Sequence, residues 1–442
     1  MLRSKVEPVI EGTLHPDFTP LATALRAQLR AYAGGAAVCV YHRGECVADL
    51  WGGARDAAGR PWLRDTLAPS FSTTKGVAST LFHIMADRGL VSYEDRVARH
   101  WPEFAQQGKQ DITVRHVLAH QSGLYHIRRM IDHAERMRDW EYMVRAIERT
   151  PPAHEPGART GYHGLTYGFL VGEILQRVTG RRFPDLVRDE LARPLGLDGL
   201  YVGAPPEALP KAAELLWPRR RLVPSDLFVA PENALWADIL ADAASLTSRA
   251  LGAVGVRFDL ESIWDALAPR GIRSFDFGAA ETLRSVIPAA NGIFTARSLA
   301  RMYAALAGGG QVDGVRIMSA ETVARAGEVQ SAPGPRMVLP FDMRWRLGYH
   351  GVATSQGVPR HAFGHFGFGG SGAWADPSRD LAVALIVNSG MGTPFGDLRI
   401  MRIGGTALAC ARRRSRERAP ARPRAPVLAW GGRALHQLRR AL

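Results

Sequence analysis

The chain has 442 residues, with 56 Lys plus Arg against 42 Asp plus Glu and a formal net charge of +14. Hydrophobic residues at 46% and charged residues at 22% exclude a wholly disordered, collagen-like or disulfide-scaffold chain, and the length allows two to three structural units around a sizeable core. The charge suggests nucleic acid or a membrane surface, but residues 411–442 alone hold ten Arg against Glu417, which leaves only +5 on the other 410 residues.

In chain order, a helical pattern over 21–32 precedes two strands, 36–41 and 45–50, joined by the turn His42-Arg43-Gly44. Apolar spacing at Val77, Leu81, Ile84 and Met85 predicts a helix over 73–88, stopped by Gly89. Helices are then predicted over 114–119, 140–149, 165–178, 183–191 and 235–246, punctuated by Pro and Gly. A last helix over 296–306 ends at Gly308-Gly309-Gly310, after which 345–350, 361–366, 372–376 and 381–388 read as short strands. Strands near both ends with helices between predict an α+β fold, in which one antiparallel sheet is formed by both chain ends, flanked by helices, with an inserted all-helical domain. The expected division is 1–110 with 285–410 for the sheet domain, 111–284 for the helical domain and 411–442 for an Arg/Pro-rich basic tail.

Cys39, Cys46 and Cys410 cannot pair completely and lack metal-knuckle spacing, so they read as buried or half-buried thiols in a reducing compartment. The N-terminal stretch has no apolar signal region, and the longest apolar run, 381–387, is far short of the ~20 residues of a membrane span. A cytoplasmic location is expected. The tail over 412–426 reads as a solvated linker, and Leu428, Leu435, Leu438 and Leu442 with interleaved Arg suggest weak membrane-surface association. No nucleic-acid module is visible, so no nucleic-acid partner is expected.

Chemistry concentrates at Ser72-Thr73-Thr74-Lys75, where the predicted helix opens. Residues three apart share a helix face, so Lys75 can reach Ser72 and act as its base once burial lowers its pKa. The unpaired N–H groups of a helix start can stabilise an oxyanion beside Ser72. Twenty serines and four lysines give about 0.2 such pairs by chance, so the pair needs company. The lysines are Lys5, Lys75, Lys109 and Lys211; in so Arg-rich a chain each is a rare choice. The run Gly367-Phe368-Gly369-Gly370-Ser371-Gly372 matches a dinucleotide fingerprint, but a turn and another strand follow where a helix would be needed, so no cofactor is expected. No metal site is expected either.

Tyr162-His163-Gly164 and His365-Phe366-Gly367 supply the company. With Ser72 and Lys75 they resemble, in order and spacing, the Ser-x-x-Lys, Tyr-x-Asn and Lys-Thr-Gly signatures of the serine β-lactamase and penicillin-binding-protein superfamily. The run from His116 to Leu124, Asn291-Gly292 and Gly364-His365-Phe366-Gly367 look like its class C β-lactamase-related group, and within it the family VIII carboxylesterases, over roughly 18–408. The resemblance implies Ser72 as acylated nucleophile, Lys75 as its base, Tyr162 as acid/base, and the backbone N–H groups of Ser72 and Phe368 as oxyanion hole. Gly367, His365, Gly164 and Asn291 would line the substrate groove. Tyr162 could serve at neutral pH only with a cation such as Lys75 favouring its phenolate. Gly164 stands where the superfamily carries Asn, and His365 where it carries Lys, so recognition of an anionic amide weakens and an uncharged small-molecule ester becomes the expected substrate. A β-lactamase or D-amino-acid peptidase on the same site remains an alternative. So does an inactive hydrolase-like body whose tail binds membrane or acidic partners.

Overall fold

A computed structural model describes residues 7–216, 260–334, 336–339, 342–390 and 397–417. One antiparallel sheet holds β1 (Ile10–Leu14), β2 (Gly35–His42), β3 (Glu45–Gly53), β4 (His350–Gly351), β5 (Phe363–Phe366), β6 (Gly372–Asp376) and β7 (Leu381–Val387), in the order β1-β3-β2-β7-β6-β5-β4. β2 pairs with β7 from Leu381↔His42 to Val387↔Ala36, so both ends of the chain meet in one sheet, as the sequence predicts. The principal helices are α1 (Pro20–Ala31), α2 (Thr73–Asp87), α3 (Trp140–Arg149), α4 (Thr166–Thr179), α5 (Leu260–Leu267), α6 (Ala296–Ala307) and α7 (Leu398–Glu417).

The unbroken apolar run of β7 follows from cover on both faces. Successive strand residues point to opposite sides. Val38 and Val40 of β2 and Leu381, Val383 and Leu385 of β7 pack with Leu21 and Leu25 of α1 and Ile400 and Ile403 of α7. On the other side Ala37, Cys39, Ala382 and Ala384 keep that face shallow, and α6 packs there through Leu299, Ala300 and Tyr303. This second cluster continues through α2, buried on all sides from Thr73 to Met85, into Phe169 and Ile174 of α4 and Met143 and Ile147 of α3. The helical segment therefore shares its core with the sheet along α2.

Besides β1, which the sequence reading did not mark, the structure departs from that reading in three places. Residues 345–350 give only His350 to the ladder, because positive φ at Arg344 (+50°) and Gly348 (+81°) turns the chain and the Gly348 N–H donates to the Leu118 carbonyl. The helix expected over 183–191 is α-helical at Phe183–Leu186 and widens into a π turn at Val187–Ala192. Residues 411–417 are not a solvated linker: α7 continues to Glu417, and Ala411 and Arg414 are buried. Arg414 donates to Glu45 at 2.6 Å and lies 3.4 Å from Asp17, which ties α7 to the β2–β3 hairpin and the entry to α1. The helix expected over 235–246 and the Leu/Arg pattern over 428–442 lie outside the described residues. Among the described residues no helix is long and apolar enough to cross a membrane.

The tie at Arg414 makes a stability prediction. Arg414→Ala removes a buried stem and a paired cation, and should lower unfolding free energy by about 2 kcal/mol. Arg412→Ala, on the exposed side of the same helix, should stay within about 0.5 kcal/mol. Urea titration of the two variants separates these outcomes, and equal effects would contradict the assignment.

Candidate active site

Ser72 sits at the N-terminus of α2, and its side chain makes no capping bond to that helix. Its Oγ instead lies 2.9 Å from Lys75 Nζ and accepts from the Tyr162 hydroxyl at 2.8 Å. The sequence-predicted trio is therefore brought together around one oxygen. Phe71, just before it, holds φ +46°, a left-handed conformation that costs a non-glycine residue energy and aims the next side chain out of the helix start.

Lys75 is fully buried, and burial alone pushes its pKa well below the ordinary lysine value. Besides Ser72, its Nζ meets the carbonyls of Gly164 at 2.7 Å and Ala289 at 2.9 Å, with no carboxylate among its bonded partners. A neutral amine has two N–H donors and one lone pair. Spent on the two carbonyls, the donors leave the lone pair facing the Ser72 hydroxyl. Burial pushes Tyr162 the other way, upward, so its phenol keeps its proton at rest and donates to Ser72 Oγ. The phenolate expected from the sequence is therefore not the resting form.

Gly367 brings β5 against the nucleophile. A Cβ there would lie 2.2 Å from the Ser70 carbonyl oxygen, an approach only glycine permits. The Phe368 ring packs edge-on against Phe71 at 5.8 Å, and Phe277 meets Phe71 at 5.2 Å, giving the site an aromatic wall. The segment 367–372 is a β-turn between β5 and β6, with the Gly370 N–H on the Gly367 carbonyl and the Gly367 N–H on the Ser371 carbonyl. His365 is buried, and burial first, then His350 and Lys75, hold it well below the usual histidine pKa, so it is neutral. Its Nδ1 lies 3.2 Å from the Phe366 carbonyl, while Nε2 has no partner among the described residues.

Two predicted groove residues act differently. Asn291 turns inward: its Nδ2 donates to the carbonyls of Thr282 (2.8 Å) and Ser285 (2.6 Å), and its Oδ1 accepts from the Ile287 N–H at 3.0 Å. It knots the 282–291 loop and so presents the Ala289 carbonyl to Lys75. Gly164 contributes its carbonyl to Lys75, and the space beside its Cα is filled, since a Cβ would meet Leu267 Cδ2 at 2.2 Å and the Ala266 oxygen at 2.8 Å. His163 is satisfied by Ser122 at 2.6 Å and the Gly161 carbonyl at 2.7 Å, and His116 completes a capping box with Thr113. Sequence reasoning missed Ala289, a backbone contribution without a side-chain signal. It also missed Trp345, whose ring stacks on Tyr162 at 5.3 Å and 15°.

The β-lactamase family model matches residues 22–408. The chain is similar to the esterase/β-lactamase LipL of Mycobacterium tuberculosis, with 37% identity over 85% of this chain and 82% of that protein. The crystal structure of a family VIII carboxylesterase covers 91% of this chain and all of its own, at TM-score 0.76 and 31% identity. A penicillin-binding-protein homologue from Caulobacter crescentus gives 0.74 and 33% over 91% of this chain and 100% of that one. With this match spanning both halves of the sheet and the Ser72–Lys75–Tyr162 cluster between them, the chain belongs to the β-lactamase family and is a serine hydrolase.

Proposed function

We propose that the protein hydrolyses uncharged carboxylic esters through an acyl-enzyme on Ser72. The observation that carries this reading is the fully buried Lys75 amine, 2.9 Å from Ser72 Oγ and within hydrogen-bond reach of two backbone carbonyls, with burial pushing its pKa well below the ordinary lysine value. As Ser72 Oγ attacks the ester carbonyl, its proton passes to Lys75. The oxyanion falls to the N–H groups of Ser72 and Phe368. Tyr162 gives its proton to the departing alkoxide, and the phenolate so formed is balanced by the Lys75 ammonium 5.1 Å from its ring centroid. Water then returns a proton to Tyr162 as it attacks the acyl group, and Ser72 leaves with the proton stored on Lys75. The phenolate belongs to the acyl-enzyme.

The substrate preference rests on what replaces an anion-and-amide site. A neutral His365 offers no positive charge for a carboxylate. At Gly164 there is neither an amide side chain nor room for one. β-Lactam hydrolysis is the second reading, because the relative LipL carries both activities in its name.

On a p-nitrophenyl short-chain ester the enzyme should release a burst of phenol that Ser72→Ala abolishes. Lys75→Arg puts a permanent cation where the amine must take up a proton, and should lose about 10³-fold in kcat. Turnover by either variant at the parent rate would contradict the assignment. Ester turnover should exceed that of nitrocefin and of D-Ala-D-Ala peptides. Gly164→Asn should lower ester hydrolysis roughly tenfold, since the backbone that holds Lys75 must shift; a gain in nitrocefin hydrolysis with ester activity intact would overturn the steric reading.

A further inference from the structure

We infer that Trp345 and His120 form an aromatic clamp that positions the Tyr162 hydroxyl on Ser72, an inference that rests on the acid/base reading of Tyr162. Trp345 is 6% exposed and lies nearly parallel to the Tyr162 ring, 15° apart at 5.3 Å. Its own place is fixed from three directions. Its carbonyl accepts from the Gln330 N–H at 2.7 Å. The preceding residue, Arg344, holds φ +50°, which swings the ring out of the line of β4. Arg336 and Met337, which open the loop that carries it, pair in parallel register with Thr160 and Gly161, the residues that lead into Tyr162. The backbone that leads into the tyrosine is thus tied to residues 336–337.

His120 closes the clamp. It stands at φ +59°, buried, and its Nδ1 accepts the His163 N–H at 3.2 Å. In the neutral ring the proton is then on Nε2, which has no hydrogen-bond partner among the described residues. Of the four aromatic rings around His120 the nearest is Trp345, met edge-on at 4.2 Å and 61°, with Tyr162 at 5.3 Å, Tyr167 at 5.0 Å and His163 at 5.2 Å. An edge-on contact between two aromatic rings is attractive and directional, and it holds His120 against Trp345. Burial, with smaller contributions from His163, His365, Lys75 and His350, keeps the ring uncharged, so the clamp adds no cation beside Lys75.

Neither ring touches Ser72 by a hydrogen bond, so both act through Tyr162. A misplacement of the phenol by an ångström is enough to slow proton delivery by 10- to 100-fold. The test is a double-mutant cycle on the full chain, read with a p-nitrophenyl ester. Trp345→Leu should lower kcat by roughly 10- to 100-fold with KM changed about twofold or less. Trp345→Phe, which restores a stacking face, should recover most of the rate. In a Tyr162→Phe background the Trp345→Leu change should cost nothing further. Additive losses in the cycle, or a Trp345→Leu enzyme with parent kcat, would overturn the clamp. A Tyr162→Phe enzyme with parent kcat would instead overturn the reading of Tyr162. Thermal melts accompany each variant; should Trp345→Leu fail to fold, Trp345→Met, which also lacks an aromatic face, carries the same cycle, and His120→Gln should lower kcat in the same direction.

Discussion

A lysine amine held out of water without a carboxylate is the constraint on which the rest of the site depends. An ammonium there is costly, so burial pushes the group toward its neutral form, and what would be a liability in a core suits a base beside Ser72. The neutral amine needs acceptors, and the fold supplies two carbonyls from opposite sides. Much local architecture reads as the means of delivering them. Gly168 on α4 lets the 287–290 backbone close in, since a Cβ there would lie 2.3 Å from the Ala289 nitrogen. Asn291 knots the same loop through three hydrogen bonds. Gly292 ties it to the nucleophile segment, with its N–H on Thr74 Oγ1 at 3.0 Å and its carbonyl accepting from the Ser70 N–H at 2.9 Å.

The histidines around that amine stay uncharged. His120, His163, His350 and His365 are all buried and held neutral chiefly by desolvation. His350 shows how backbone fixes such a ring: Nε2 accepts the Phe366 N–H at 2.9 Å while Nδ1 meets the Gly351 carbonyl at 2.7 Å, which leaves one tautomer. A neutral histidine wall around an uncharged lysine suits an uncharged substrate better than a carboxylate. The scarcity of lysine in this chain sharpens the point. Lys109 is also buried and donates to the carbonyls of Glu148 and Thr150 at the end of α3, but burial lowers its pKa only to about 8, with Glu148 opposing, so it stays largely a cation at a helix C-terminus.

The sheet was legible because its strands are short, apolar and bounded by turns, and because β7 is so evenly hydrophobic that two-sided cover is its natural reading. Ser72, Lys75 and Tyr162 were legible because each contributes a side chain whose chemistry the spacing can expose. Ala289 was not, since it works through a carbonyl that any residue possesses. Asn291 misled for a related reason: its amide can face a groove or its own loop with equal ease, and only the fold shows that all its bonds are spent. Arg-rich residues 411–417 looked like linker, yet Arg414 is buried by long-range partners, Glu45 and Asp17, that local pattern cannot reveal. Trp345 lies in a segment with strand-like composition, and a left-handed Arg344 redirects it to the tyrosine.

The central claim is that Lys75 rests uncharged and drives acylation of Ser72, and the rate at which a phosphonate ester labels Ser72 as a function of pH tests it most directly. The account predicts a rate that climbs through a single ionisation and levels off well before the ordinary lysine value of about 10.4, with the label mapped to Ser72. A rate that keeps rising to that value, as an ordinary solvated lysine would give, would contradict it.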